Sequence, residues 1–126
     1  MAAQHPHIQL KRAYSEPGRQ DGCRVLVDGL WPRGIKKEAL HIDAWCRDVA
    51  PSVELRRWFG HREELWPQFR ERYMEELKSH ADAIDDMLES AKGHSTLTLI
   101  YGARDEEHNN AVVLREYLLR HRLGRA

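Results

Sequence analysis

The chain has 126 residues, enough for one domain with a modest core. Its 41% hydrophobic and 32% charged residues exclude a disordered tail and a membrane-embedded protein. Lys and Arg together number 20, as do Asp and Glu, so no global field recruits nucleic acid or a lipid surface.

Residues 1–6 are expected to be loosely ordered. Ile8 and Leu10 alternate with polar neighbours, which predicts a half-buried strand over residues 7–13. Pro17-Gly18 and Asp21-Gly22 are turn dipeptides. Residues 23–28 are apolar on both faces, as in a central strand. Pro32 and Gly34 break the chain, and residues 35–41 read as a loop with a short turn. Asp43 predicts a capped short helix through Val49, which would place Cys46 on a helix. Ser52 caps another short helix from Val53 to Phe59, and Gly60 ends it.

A longer helix begins near Glu63 and tolerates Pro67 only within its first turn. Its Leu65, Phe69, Tyr73 and Leu77 recur every fourth residue, an amphipathic pattern. Ala81 to Lys92 carries Ile84, Met87, Leu88 and Ala91 at helical spacing, and Gly93 ends it. Thr96 to Tyr101 is a second buried strand, and Asp105 or Asn109 caps the last helix. The expectation is an α/β fold, a single domain over residues 1–126 with a small mixed, partly parallel sheet and helices packed on its faces. The helical excursion between the last two strands serves as a right-handed crossover between parallel neighbours.

No stretch has the apolar length of a membrane span, and the N-terminus lacks the apolar core of a signal peptide. Cys23 and Cys46 lack metal or redox spacing. They are expected to be reduced, unpaired core residues of a cytoplasmic protein with no membrane partner. Arg120, Arg122 and Arg125 make the tail basic, opposed only by Glu116, as suits a solvated helix end.

Ligands of α/β proteins bind outside the carboxyl ends of strands, which directs attention to two loops. The first carries Asp28, Trp31 and Arg33. A carboxylate ending a buried strand needs partners, and Arg33 between Pro32 and Gly34 presents a fork to a carboxylate or phosphate. The plain alternative is an internal pair of Asp28 with Arg33 or Arg24 that pins the loop. The second loop, Arg104 to Asn109, leads into a helix N-terminus. Asp105 and two glutamates there are ordinary capping, which leaves Arg104 and His108 unexplained. His108, Asp105 and Asp28 are also residue types that ligate metals, but no dense ligand motif supports them, and no metal is assigned. Trp31, Trp45, Trp58 and Trp66 crowd the middle of the chain beside Arg56, Arg57, His61 and Arg62. Core packing explains Trp45 and Trp66, while Trp31 and His61 sit on turns and stay as site candidates.

Three segments carry a specific resemblance: RVLVDGLWPRG at Arg24 to Gly34, DAWCRDVAPSVELRRWFGH at Asp43 to His61, and LIYGARDEEHNNAVVL at Leu99 to Leu114. With WPQFRERYMEEL at Trp66 to Leu77, they resemble the YeaO-like branch of the domain of unknown function 488 family across nearly the whole chain. The resemblance implies a small cytosolic α/β protein with no established reaction. That family's pattern has Arg at Gly29 and Ala at Gly102, and the missing charge removes one partner from beside Asp28. A more distant branch carries a Cys-His-Arg motif after the last strand. This chain lacks that cysteine, so thiol chemistry does not carry over.

The functional expectation is a small cytosolic protein that binds a phosphate- or nucleotide-type anionic ligand, with hydrolysis of that ligand left open. Asp28 and His108 would be catalytic. Trp31, Arg33, His61, Arg104, Asp105 and Asn109 would hold the ligand, and no cofactor is named. The alternatives are a non-enzymatic interaction module using Trp and Arg, or a single-strand nucleic-acid contact, which zero net charge disfavours.

Overall fold

Four short strands align side by side in the computed structural model, which describes residues 5–123. They are β1 (His7–Arg12), β2 (Cys23–Leu26), β3 (Ala44–Trp45) and β4 (Thr96–Tyr101), in the order β1-β4-β2-β3. All three pairings are parallel, so the sheet expected to be mixed is parallel throughout its described strands. The described residues also form five α-helices: α1 (Lys37–Leu40), α2 (Val53–Phe59), α3 (Trp66–Lys78) and α4 (Ala81–Ser90) lie between strands, and α5 (Asn110–Tyr117) follows β4. The expected disorder at residues 1–6 falls largely on residues 1–4, which lie outside the described residues, as does Arg125.

Alternation along each strand divides the apolar residues between two faces. Ile8, Val25, Leu97 and Leu99 meet Phe69, Tyr73 and Leu77 of α3, Ile84 and Met87 of α4, and Val113 and Leu114 of α5 in the main core. Ala13, Leu26, Leu40 and Ile100 form a smaller cluster, with Trp31 and Trp45 packed against it. Beside it the sheet carries a buried polar network. Asp21 accepts from Gly18 N, Lys11 Nζ and Arg24 Nη1, and Thr98 Oγ1 donates to the Asp21 carbonyl.

The helix expected from Asp43 to Val49 does not form. Ala44 and Trp45 instead pair with Val25 and Leu26, and Asp43 Oδ2 accepts from Arg24 N at 2.9 Å. A polar side chain that caps a helix in isolation here ties a strand, because tertiary pairing overrides local propensity. Only a 3-10 turn, Arg47–Val49, remains. β2 ends at Leu26 rather than Asp28, although Val27 N still donates to Ile100 O. Ser52 caps α2, Pro67 lies in the first turn of α3, and Asn109 rather than Asp105 caps α5.

Both cysteines are free. Cys23 is fully buried, and its thiol donates to Ser90 O at 3.3 Å. Burial, with Cys23 and Asp86 nearby, pushes the Cys46 thiol up to about 11. The thiolate is the reactive form, so neither cysteine should be alkylated by iodoacetamide in the folded protein near neutral pH. Intact mass should show two additions only after denaturation; rapid native labelling at Cys46 would contradict its packing. The basic tail is partly neutralised, since Arg120 pairs with Glu116 at 3.2 Å and Arg122 with Asp85. Among the described residues, no helix is long and apolar enough to cross a membrane.

Candidate functional site

Because β2 and β4 are adjacent and parallel, the segments after Leu26 and Tyr101 leave the sheet at the same carboxyl end. Each is pinned. Asp28 Oδ2 accepts from Gly102 N at 2.9 Å, which joins the two loops directly. Trp45 Nε1 donates to Asp28 O at 2.8 Å, and Trp31 Nε1 to Ile35 O at 2.7 Å. Tyr14 Oη donates to Arg33 O at 2.8 Å. Asn110 Nδ2, in the first turn of α5, donates to Val27 O at 3.1 Å.

The third wall comes from α2. Ser52 accepts from Leu55 N, and its own N–H and hydroxyl donate to Glu76 of α3 at 2.8 and 2.6 Å. That anchor fixes the rotation of α2, burying Leu55 and Phe59 and carrying Arg56 to the recess. Gly60 and His61 then turn the chain with φ of 54° and 58°. For a non-glycine residue such as His61 this left-handed backbone costs on the order of 1 kcal/mol, and it brings the imidazole to the recess wall.

These walls enclose a cavity of about 260 Å³. Asp28 lies in it with Trp31, Pro32, Phe59 and Phe69, and with the cationic or basic Arg33, Arg56, His61 and His108. Of the residues expected from the sequence, Asp28, Trp31, Arg33, His61, His108 and Asn109 therefore come together. Arg104 and Asp105 lie on the same loop but are exposed and do not line the cavity. Arg56 and Gly102 are not among the site candidates that the sequence offers. The signal for Arg56 was the Ser52 cap, which phases α2 so that Arg56 flanks the buried stripe of Leu55 and Phe59. Gly102 has no such local signal, because its role is a close approach: a Cβ there would come within 3.2 Å of Asp28 Oδ2.

Asp28 does not pair with Arg24 or Arg33. Arg24 is buried in the polar network, donating to Asp21 Oδ2 at 2.6 Å and to the carbonyls of His41 and Leu40. Asp28 Oδ1 is buried and has no hydrogen-bond partner among the described residues. Burial pushes the Asp28 carboxyl up, opposed by the Gly102 N–H, by the Asn110 side-chain amide, and by Arg56 and His61 nearby.

Asp105 shapes the second loop. Its Oδ1 accepts from Glu107 N and His108 N, and its Oδ2 meets His108 Nδ1 at 2.9 Å. That bond raises the His108 pKa, with further support from the Glu63 and Glu107 charges. The same loop contacts hold Asp105 below the usual carboxylate range. Trp66 stands edge-on to His108 at 5.2 Å. Glu63, Asp105 and His108 place ligand atoms within 4.8 Å of one another, and Asp28 is not part of that group. Both carboxylates already face His108 Nδ1, at 2.9 and 3.4 Å, as an internal ion pair does.

A family profile described as the inactive DUF488-N3 subclade matches residues 7–125. The chain belongs to this subclade. It is similar to the uncharacterized protein YeaO of Escherichia coli (strain K12), with 42% identity over 112 residues, 89% of this chain and 96% of the relative. It is also 40% identical over 111 residues to the uncharacterized protein Rv3073c of Mycobacterium tuberculosis, covering 88% of this chain and 92% of that one. The uncharacterized protein Mb3100c of Mycobacterium bovis matches to the same extent. No solved structure matches the chain. The subclade's relatives supply no reaction, so the site must be read from its own chemistry.

Proposed function

We propose that the protein binds a phosphate-type anionic small molecule at the carboxyl ends of β2 and β4. The observation that carries this reading is the gathering of Arg33, Arg56, His61 and His108 around one recess in a chain of zero net charge. Guanidinium forks hold phosphate oxygens through charge-assisted hydrogen bonds. His108, with Nδ1 committed to Asp105, leaves Nε2 unbonded, and that nitrogen becomes a further donor to the anion when the ring is protonated.

The subclade's description as inactive supports binding without turnover. The oriented His108–Asp105 pair favours a second reading, hydrolysis, because a carboxylate that fixes an imidazole is the usual arrangement of a general base. Release of inorganic phosphate from a panel of phosphate esters separates the two. Turnover abolished by His108→Ala supports the enzyme, and binding without release supports binding alone. A protein-interaction role draws on Leu30 and Tyr14 at the recess, which are 65% and 48% exposed. It predicts a complex that survives gel filtration without small molecules. A single-strand nucleic-acid contact predicts affinity that falls steeply with salt.

The direct test is thermal. A ligand at about 100 times its Kd adds roughly 2.7 kcal/mol to stability, a shift that calorimetry reads easily. Ribose 5-phosphate and mononucleotides should raise the Tm in a concentration-dependent way. Arg33→Ala and Arg56→Ala should each remove most of the shift. Arg104→Ala, outside the lining, should keep it. If all three variants respond like the wild type, the ligand sits elsewhere.

A further inference from the structure

The polar groups of the recess are unevenly available, and this selects among phosphate esters. Its cationic or basic side chains are Arg33, Arg56, His61 and His108. Its neutral polar side chains are Tyr14, Trp31, Asn109 and Asn110, and each already has a partner in the protein. Tyr14 Oη donates to Arg33 O, Trp31 Nε1 to Ile35 O and Asn110 Nδ2 to Val27 O. Asn109 is used at both ends, donating to Asp105 O at 2.9 Å and accepting from Val112 N at 3.1 Å. The Asp28 carboxylate adds little, because Oδ1 is buried beyond a ligand's reach and Oδ2 accepts from Gly102 N. Arginine and indole N–H groups only donate. A polyol entering here would exchange water for few acceptors, which costs affinity.

The rest of the lining is apolar and includes Leu30, Trp31, Pro32, Phe59 and Phe69. Leu30 is 65% exposed and shares its loop with Arg33. An apolar group of the ligand that covers it removes both surfaces from water. At about 260 Å³ the cavity lies below the usual range of roughly 300–1,000 Å³ for small-molecule pockets, which suits a ligand no larger than a phosphate and one ring.

We propose that the ligand is a phosphate ester of an aromatic or otherwise apolar group, with that group lying against Leu30 and the phosphate held by Arg33 and Arg56. This rests on the anion-binding reading above and adds to it the class of the ligand. Selectivity then lies in the organic group, since the phosphate is common to every ester.

Phenyl phosphate, glycerol 3-phosphate and ribose 5-phosphate test this, because all three are dianions at about pH 8. In calorimetric titrations of the wild type, phenyl phosphate should bind about tenfold or more tighter than either hydroxylated ester, as covering part of a ring predicts. Leu30→Ser changes an exposed position and should keep the unliganded Tm, yet it should lower that ratio severalfold. Arg33→Ala should weaken all three esters together and keep the ratio. A tyrosine-phosphorylated peptide separates the two sources of an aryl phosphate. Tighter binding than phenyl phosphate assigns the ring to a protein side chain, and weaker binding assigns it to a free small molecule. If the three esters bind the wild type alike, or if the ratio survives Leu30→Ser, the apolar-ester assignment is wrong and anion binding still stands. If none of them binds, both readings fall. The wild-type comparison stands on its own should the variant not fold.

Discussion

Asp21→Ala should lower stability by about 3–5 kcal/mol, because it leaves Arg24 as a buried guanidinium with no counter-ion. The two side chains are 4% and 5% exposed, and Nη1 reaches Oδ2 at 2.6 Å. Arg24 would retain the carbonyls of His41 and Leu40, at 3.0 and 2.8 Å, but no negative charge. Lys11 and Gln9, both bonded to Asp21, would also lose their acceptor. For a domain of this size the loss corresponds to a Tm fall of roughly 10–20 °C. A double substitution, Asp21→Ala with Arg24→Met, should recover much of the difference, since an apolar replacement of both ions removes the stranded charge. The pH dependence has a definite sign. Burial alone would raise the Asp21 pKa, but the Gly18 N–H, Lys11 and Arg24 together hold it below the usual carboxylate value of 3.8. Its contribution is therefore present above the unfolded pKa and is lost as pH falls through the folded one. Denaturant titrations of the wild type and the variant should converge in acid. A wild-type midpoint that Asp21→Ala leaves unchanged near neutrality would show that the network contributes nothing.

The sequence made the scaffold of the site readable and left its polar pairing hidden. Strand-like runs at Cys23 and Thr96, the Ser52 cap and the four-residue spacing of Phe69, Tyr73 and Leu77 are local patterns, and each produced the element expected of it. Two parallel strands followed by charged loops were enough to bring Asp28, Arg33 and His108 to one recess. The misreadings arise where a short polar side chain has two uses. Asp43 reads as a helix cap yet holds Arg24 N, because β3 needs an edge to pair with. Asp105 and Asn109 both read as caps of α5; Asn109 takes the cap, while Asp105 organises His108. Arg24 reads as a partner for Asp28 because they share a strand run. Its actual partner, Asp21, lies within a turn dipeptide where nothing marks burial. Long-range choices of this kind depend on which carboxylate remains unpaired after packing, and no spacing rule records that.

Affinity for a phosphate ester should weaken as pH rises through the His108 pKa. The Asp105 hydrogen bond raises that pKa above its ordinary 6.5, desolvation partly opposes it, and the Asp105, Glu63 and Glu107 charges add to the rise. The imidazolium attracts the anion and the neutral ring does not, so Kd should be flat in acid and then climb by up to about tenfold per pH unit. Folding carries the same sign: a raised pKa stabilises the folded state below the unfolded value, and that contribution is lost as pH rises through the folded one. An ordinary phosphate monoester confuses the measurement because its own second proton leaves near about pH 6. A cyclic mononucleotide, with a single fixed charge, avoids this. His108→Gln should flatten the profile and weaken binding at low pH only. Asp105→Asn should move the midpoint down, since it removes the group that holds the proton on Nδ1. His61 also lines the recess, so His61→Gln is the comparison that assigns the effect. A profile that persists in His108→Gln and disappears in His61→Gln would transfer the role to the strained turn after α2. A profile flat in the wild type would mean that the arginines alone hold the anion and that the His108–Asp105 pair serves only to fold the loop.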